Sequence, residues 1–98
     1  MATIHKQKIV SITSVAANAT HRIQWNPPWD TVLGYFVFPV PPPASGAHGK
    51  RTGVVAITKV SCTFVRHNDK ADEKFVLIDI KNLGTDATGF DLYESWID

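Results

Sequence analysis

The chain has 98 residues, a net charge of +1 and one cysteine, Cys62. That length suits a single domain, residues 1–98, and one cysteine excludes an intramolecular disulfide. Ten basic and nine acidic residues leave no basic stripe of the kind that follows a phosphate backbone, so nucleic-acid binding is not expected.

The sequence also bears on where the protein works. No apolar run approaches the roughly 18 residues of a membrane-spanning helix, so no membrane span is expected. The N-terminus lacks the apolar core of a signal peptide. A single cysteine favours a reducing compartment, because small secreted domains often depend on disulfides. We therefore expect a cytoplasmic protein, or a secreted one if a leader was removed before residue 1.

The first half of the chain predicts three strands separated by turns. They run from Lys8 to Val15, from Ala19 to Trp25 and from Thr31 to Val40. The second strand alternates cleanly between two faces. It stops at a turn that contains Pro27 and Pro28, because proline cannot donate to a β-ladder.

A long connection follows the third strand. Gly34 within that strand predicts a bulge or a close backbone approach. Residues 39–53 then form a mobile Pro/Gly-rich loop, extended in its proline part and flexible in its glycine part. We expect Pro41 to Arg51 to be the most mobile segment, so a protease should cut first after Lys50 or Arg51.

Three β-rich segments in succession fill the second half, with no room for a helix between them. They are Val54 to Arg66, residues 74–82 and Phe90 to Ile97. Alternation between two faces is clearest in residues 19–25 and 74–82. The pattern predicts an all-β fold, an antiparallel β-sandwich of six or seven strands.

Two late segments resemble the last strands of immunoglobulin-like sandwiches. Val76 to Gly84 is an alternating strand that ends in an Asn-x-Gly turn, and Gly89 to Tyr93 is an aromatic strand. The resemblance implies an immunoglobulin-like β-sandwich but no particular activity, because this superfold hosts many functions. The paired cysteines of antibody-type domains are missing, which sets the chain apart from a true immunoglobulin domain.

The alternation also assigns a core. Apolar side chains that share one face of each strand are expected to be buried, and they are Ile23, Trp25, Phe36, Phe38, Val60, Cys62, Phe64, Val76, Ile78, Ile80, Leu92 and Trp96. In the third strand, a one-residue shift at Gly34 would instead turn Tyr35 and Val37 inward. In the last strand, the apolar face also carries Glu94.

The turn at residues 25–30 is the strongest candidate for a binding site. Two indoles flank two prolines there, and Asn26 and Asp30 lie beside Trp29. Indole faces stack on the CH faces of sugars, and amide and carboxylate groups pair with hydroxyls. We expect Trp29, Asn26 and Asp30, with Tyr35 nearby, to form a shallow carbohydrate site. The alternative is that both indoles are buried packing residues.

Nothing in the sequence predicts an enzyme. No nucleophile, base and orienting group can be placed together, and glycine-rich phosphate loops are absent. The four histidines lack the spacing of metal ligands, so neither a metal nor a cofactor is expected. Cys62 lies on an apolar face and is interpreted as a small buried hydrophobe rather than a nucleophile.

Two functions therefore remain. The first is a non-enzymatic binding module, lectin-like, with a carbohydrate as its ligand. The second is a structural or assembly subunit that forms a homo-oligomer, with a dimer favoured, through sheet edges and an aromatic face. The last strand, and Phe75 and Leu77 of the fifth strand, are the surfaces expected to associate.

Overall fold

The computed structural model describes residues 2–27 and 31–98, which form six β-strands. The strands are β1 (Ile4–Val15), β2 (Thr20–Trp25), β3 (Val32–Val40), β4 (Val55–Val65), β5 (Glu73–Asn82) and β6 (Thr88–Ile97). They form two antiparallel sheets of three strands each. The predicted all-β antiparallel class is confirmed, and the two sheets are consistent with a β-sandwich. Within the described part of the chain, no helix could span a membrane.

Each sheet is organised around a strand from the second half of the chain. Sheet A has the order β1-β6-β3, and sheet B has the order β2-β5-β4. Consecutive strands mostly belong to different sheets, and β4 and β5 are the one pair of consecutive strands that pair directly within the described residues. Because β5 and β6 are central, the free sheet edges belong to β1 and β3 in sheet A and to β2 and β4 in sheet B.

The observed strands differ from the predicted ones mainly at their ends. β1 begins at Ile4 rather than Lys8, and Pro39 and Val40 belong to β3, so the connecting loop begins at residue 41. Near the end of this loop, Gly53 packs closely on β3. A Cβ atom at that position would lie 2.8 Å from Cβ of Pro39, so this end of the loop is in close contact with β3. Its mobility between residues 41 and 51 stays a prediction.

The core lies between the two central strands. The buried apolar side chains form one cluster, which consists of Val15, Val76, Ile78, Ile80, Phe90 and Leu92. The predicted burial of three β5 side chains and of Leu92 is confirmed, whereas the sequence-based core omits Val15 and Phe90. Ile23, Trp25 and Trp96, also predicted to be core residues, are half-buried.

β3 faces the opposite way from the main prediction. Tyr35 and Val37 pair with inner-face residues of β6, whereas Phe36 and Phe38 lie on the outer face and are 49% and 50% exposed. The predicted burial of the two phenylalanines is wrong. A register shift at Gly34 inserts one residue and reverses which side chains turn inward. The alternative with a shift at this glycine is confirmed.

β4 carries an apolar face that the opposite sheet leaves uncovered. Val60 and Cys62 pair with the buried Ile78 and Val76, so they lie on the inner face as predicted. They are nevertheless exposed, and Phe64 on the same face is 44% exposed. Their predicted burial is wrong because β4 is an edge strand and sheet A leaves this part of its inner face uncovered.

The molecule is extended for its length. Its Cα radius of gyration is 16.6 Å, and its principal extents are 60 × 37 × 17 Å. A compact chain of about 100 residues has a radius of gyration of about 13 Å. The two sheets therefore cover one another only in part, and apolar side chains of β3 and β4 remain in contact with solvent.

A bidentate ion pair on the outer face of sheet B gives the first testable prediction. Arg22 Nε donates to Asp79 Oδ1 at 2.7 Å, and Nη2 donates to Oδ2 at 3.1 Å. The hydrogen-bonded guanidinium lowers the pKa of Asp79 below its ordinary value of 3.8. Since the folded pKa is the lower one, the pair stabilises the fold above the unfolded pKa and loses its contribution as the pH falls through the folded pKa.

We therefore expect Asp79→Asn to lower the thermal midpoint at pH 7 and to leave it nearly unchanged in strong acid. Thermal denaturation of both proteins from pH 7 down to below 3.8 measures this difference. Arg22→Gln removes the partner instead and should show the same pH dependence. A difference that stays constant over the whole pH range would contradict the assignment.

Candidate functional site

One end of the sandwich is closed by Asn82, the last residue of β5. Its side-chain amide donates to the carbonyl oxygens of Val15 at 3.0 Å and Asp86 at 2.8 Å, and its Oδ1 accepts the Gly84 N–H at 2.9 Å. The side chain is completely buried. These bonds join β1, β5 and the turn before β6, so the two sheets are fixed to one another at this end.

Toward the other end, a carboxylate is buried between the sheets. Glu94 lies on the inner face of β6 and is 5% exposed. Trp25, from β2 in the facing sheet, donates its indole N–H to Glu94 Oε2 at 2.7 Å. No Lys, Arg or His among residues 2–27 and 31–98 forms an ion pair with this carboxylate. Burying a carboxylate costs free energy unless donors satisfy it, so Glu94 can accept from a further donor.

The space beside this carboxylate is a cleft of about 250 Å³, lined by Gln7, Trp25, Glu94 and Trp96 and called the Glu94 cleft here. Strand pairing explains why these residues meet, because Gln7 of β1 lies directly opposite Glu94. The two tryptophans come from different sheets, and each is half-buried. The cleft thus offers two indole rings, a carboxylate and a primary amide.

Neighbouring side chains hold Trp96 in place. The His5 ring stacks on it, with centroids 5.2 Å apart and an interplanar angle of 17°. His5 Nε2 in turn lies 2.8 Å from Asp98 Oδ2. Because the indole is already oriented by these contacts, little conformational entropy remains to be lost when a ligand packs against it.

Tyr35 lies on the other side of Glu94, opposite it in the pairing of β3 with β6. Its hydroxyl is buried and has no hydrogen-bond partner among residues 2–27 and 31–98. Burial raises the pKa of the Tyr35 phenol well above its ordinary value, and the neighbouring Glu94 carboxylate raises it further. The phenol is therefore neutral and keeps its proton to donate.

The structure brings together only part of the predicted site. Trp29 and Asp30 lie outside the described residues. Asn26 is exposed and does not line the Glu94 cleft. Tyr35 does lie beside the buried carboxylate. Trp25, predicted as one side of the aromatic turn, contributes its indole to the cleft.

Sequence reasoning missed Gln7, Glu94 and Trp96 as site residues. For Glu94 a signal existed, because a carboxylate alternating with apolar residues on a strand's inner face must be satisfied by something in the interior. For Gln7 there was none. Its position opposite Glu94 depends on how β1 pairs with β6, across more than 80 residues of chain.

A second and larger groove, of about 430 Å³, runs along the proline segment after β3. Its lining includes Pro41 to Pro43 together with Ser11, Ile12 and Asp91. Ser11 Oγ donates to Asp91 Oδ1 at 2.6 Å, so these two polar groups already satisfy one another. The Glu94 cleft is the stronger candidate because its carboxylate is both buried and able to accept from a ligand.

In the described portion, no three His, Cys, Asp or Glu side chains are grouped in a way that could hold a metal ion. Comparison with known proteins gives no match to a protein-family model, to a curated protein or to a solved structure. A functional interpretation of the chain therefore depends on the geometry of the cleft.

Proposed function

We propose that this protein is a non-enzymatic binding module that takes one sugar ring in the Glu94 cleft. The observation that carries the proposal is the buried Glu94 carboxylate, bonded to Trp25 and bordered by a second indole. Sugars present apolar CH faces that pack on indole rings and hydroxyls that donate to a carboxylate. The Gln7 amide can both donate to and accept from further hydroxyls.

The dimensions of the cleft support a small ligand. Its volume of about 250 Å³ lies below the roughly 300–1,000 Å³ of pockets that hold drug-sized molecules. One ring rather than a long oligosaccharide fits such a space. A site that buries so little ligand surface is expected to bind weakly, with a Kd between about 1 mM and 1 μM.

The donor that Glu94 already has supports a neutral ligand. The Trp25 indole N–H, which carries no charge, donates to the Glu94 carboxylate. Sugar hydroxyls can supply further uncharged donors to the same carboxylate.

The composition of the cleft also supports binding without catalysis. Hydrolysis of a glycosidic bond ordinarily needs two carboxylic groups on either side of that bond. Among the described residues that line the cleft, Glu94 is the one acidic side chain. A bound sugar is therefore expected to be held and released unchanged.

We further infer an immunoglobulin-like arrangement of the strands. In that fold, the second, fifth and fourth strands are neighbours in one sheet, and the third and sixth are neighbours in the other. Sheet B has the order β2-β5-β4, and β3 pairs with β6. β1 lies beside β6, in the place where an immunoglobulin domain has its seventh strand. This arrangement supports the superfold without implying an activity.

Screening on a glycan array, followed by calorimetric titration of the best sugar, tests the proposed function. Trp96→Ala removes a wall of the cleft and should weaken binding about tenfold or more. Gln7→Ala removes an exposed amide, so it should weaken binding several-fold without changing the thermal midpoint. Phe38→Ala, a matched control on the outer face of sheet A, should bind like the unmodified protein.

Three results would overturn the proposal. One is the absence of binding to any sugar at millimolar concentration. Another is binding that Trp96→Ala and Gln7→Ala leave unchanged, which would place the sugar elsewhere on the molecule. The third is tight binding of alkylammonium ions in preference to sugars, because the site would then recognise charge.

A further inference from the structure

We propose that two copies of this chain associate by antiparallel pairing of their β3 strands. β3 is an edge of sheet A: β6 lies on one side, and none of the strands in the described part of the chain lies on the other. The free side of such a strand presents backbone N–H and C=O groups that can pair with another strand. This association is independent of the sugar proposed for the Glu94 cleft.

Charge distinguishes β3 from the other three edges. Its nine residues, Val32–Val40, include no charged side chain. β1 carries Lys6 and Lys8, β2 carries Arg22, and β4 carries Lys59 near its middle. Charged residues, lysine above all, are the usual means by which an edge strand resists pairing. Paired with its own copy, β3 brings no like charges together.

Exposed aromatic side chains on β3 specify the partner as a second copy. Residues directly opposite one another in an antiparallel pair project from the same face. Phe36 and Phe38 lie on the outer face, so a two-fold axis through the middle of β3 sets the phenylalanines of the two copies against one another. The Phe38 ring already packs edge-on to Tyr93, with centroids 5.5 Å apart. Pairing extends this aromatic surface across the dimer.

The opposite sheet gains cover from the same arrangement. β3 and β4 contact one another across the sandwich, so the two β4 strands approach each other when the β3 strands pair. Val60, Cys62 and Phe64 of β4 are inner-face side chains that remain exposed in the single chain. The dimer joins two three-stranded sheets into one six-stranded sheet, a size that is common for β-sheets.

The assignment to β3 also revises where association was expected. β6 and β5 are central strands whose backbone groups are paired on both sides, so their edges cannot take another strand. Pro39 has no N–H to donate, so the pairing is expected to be centred on Phe36 and to lie mainly before Pro39, over residues 34–38. The contact thus uses the portion of β3 that carries both exposed phenylalanines.

Sedimentation velocity at high micromolar concentration tests the dimer. The unmodified protein should have twice the 10.8 kDa mass of one chain. Phe36→Lys places like charges at the paired edge and should raise the dimer Kd about tenfold or more. Ile4→Lys is the matched control, since Ile4 is equally apolar, 69% exposed and on the other edge of the same sheet. This control should leave the mass unchanged.

Mixing two oppositely charged variants separates pairing from a general effect of charge. Phe36→Lys and Phe36→Glu should each be monomeric, and an equimolar mixture should recover the dimer mass. Circular dichroism checks that each variant keeps its sheets, and the pair Phe38→Lys and Phe38→Glu repeats the test if either Phe36 variant unfolds. A monomeric unmodified protein, or a Phe36→Lys variant that dimerises as before, would overturn the proposal.

Discussion

Replacing Phe90 with alanine is expected to lower the free energy of unfolding by about 3–5 kcal/mol. The Phe90 side chain belongs to sheet A and is completely buried. It also contacts sheet B, because the His21 ring of β2 lies edge-on to the Phe90 ring, with ring centroids 6.0 Å apart. Alanine would leave a cavity at the centre of a small core. For a chain of this length the thermal midpoint should fall by roughly 10 °C or more, measured by denaturant and thermal unfolding.

Phe64→Ala is the matched control for this prediction. The residue type and the truncation are the same, but Phe64 is 44% exposed on the uncovered part of β4. Arg66 and Lys74 lie over its ring at 5.0 and 5.1 Å, so some packing and cation–π attraction are lost. We expect a cost of about 1 kcal/mol. Equal losses for the two variants would mean that the sheets cover β4 after all.

Replacing Asn82 with alanine is the second change expected to have a large effect. The variant would remove the side-chain hydrogen bonds to two carbonyl oxygens and one N–H at the closed end of the sandwich. Each unsatisfied buried group costs about 1–3 kcal/mol, although relaxation and entry of water reduce the sum. We expect a loss of about 3 kcal/mol or more, again from denaturant unfolding.

Two further variants show whether these side-chain bonds are responsible. Asn82→Asp keeps the oxygen that accepts the Gly84 N–H but loses the amide that donates to Val15 and Asp86, so it should also be strongly destabilised. Thr85→Ala, in the same turn but exposed, should change stability by no more than about 0.5 kcal/mol. If Asn82→Ala is as stable as Thr85→Ala, the closed end is held by the backbone alone.

The strands themselves could be predicted from the sequence because alternation is a local property. β5 is the clearest case, since Val76, Ile78 and Ile80 are apolar, share a face and are all buried. The facing of β3 could not be fixed in the same way. The facing depends on whether β3 accommodates one extra residue at Gly34. With or without that residue, apolar side chains lie on each face of the strand.

The predicted burial of the β4 side chains was wrong for a different reason. The face that carries Val60 and Phe64 was identified correctly, but burial also requires a second sheet opposite that face. The extent of sheet A depends on how β1, β6 and β3 pair over long distances in the chain. Local alternation carries no information about that overlap.

The candidate site shows the same division. The sequence places the aromatic residues Trp25 and Tyr35 near a rigid turn that was predicted to bind a ligand, and both residues lie next to Glu94. They flank this buried carboxylate because Trp25 contacts it from the facing sheet and Tyr35 lies opposite it within the same sheet. Neither contact can be read from the spacing of the residues in the sequence, because more than 50 positions separate each of them from Glu94.

The central place of β6 has a consequence for how the chain folds during its synthesis. β1 and β3 each pair with β6 and not with one another, so neither has a sheet partner until residues 88–97 have been made. The aromatic residues of β3 leave the ribosome well before β6, the strand with which β3 pairs. Since long-range strand pairing is slow and leaves edges unprotected, sheet A is the part of this molecule that most depends on rapid completion or on a chaperone.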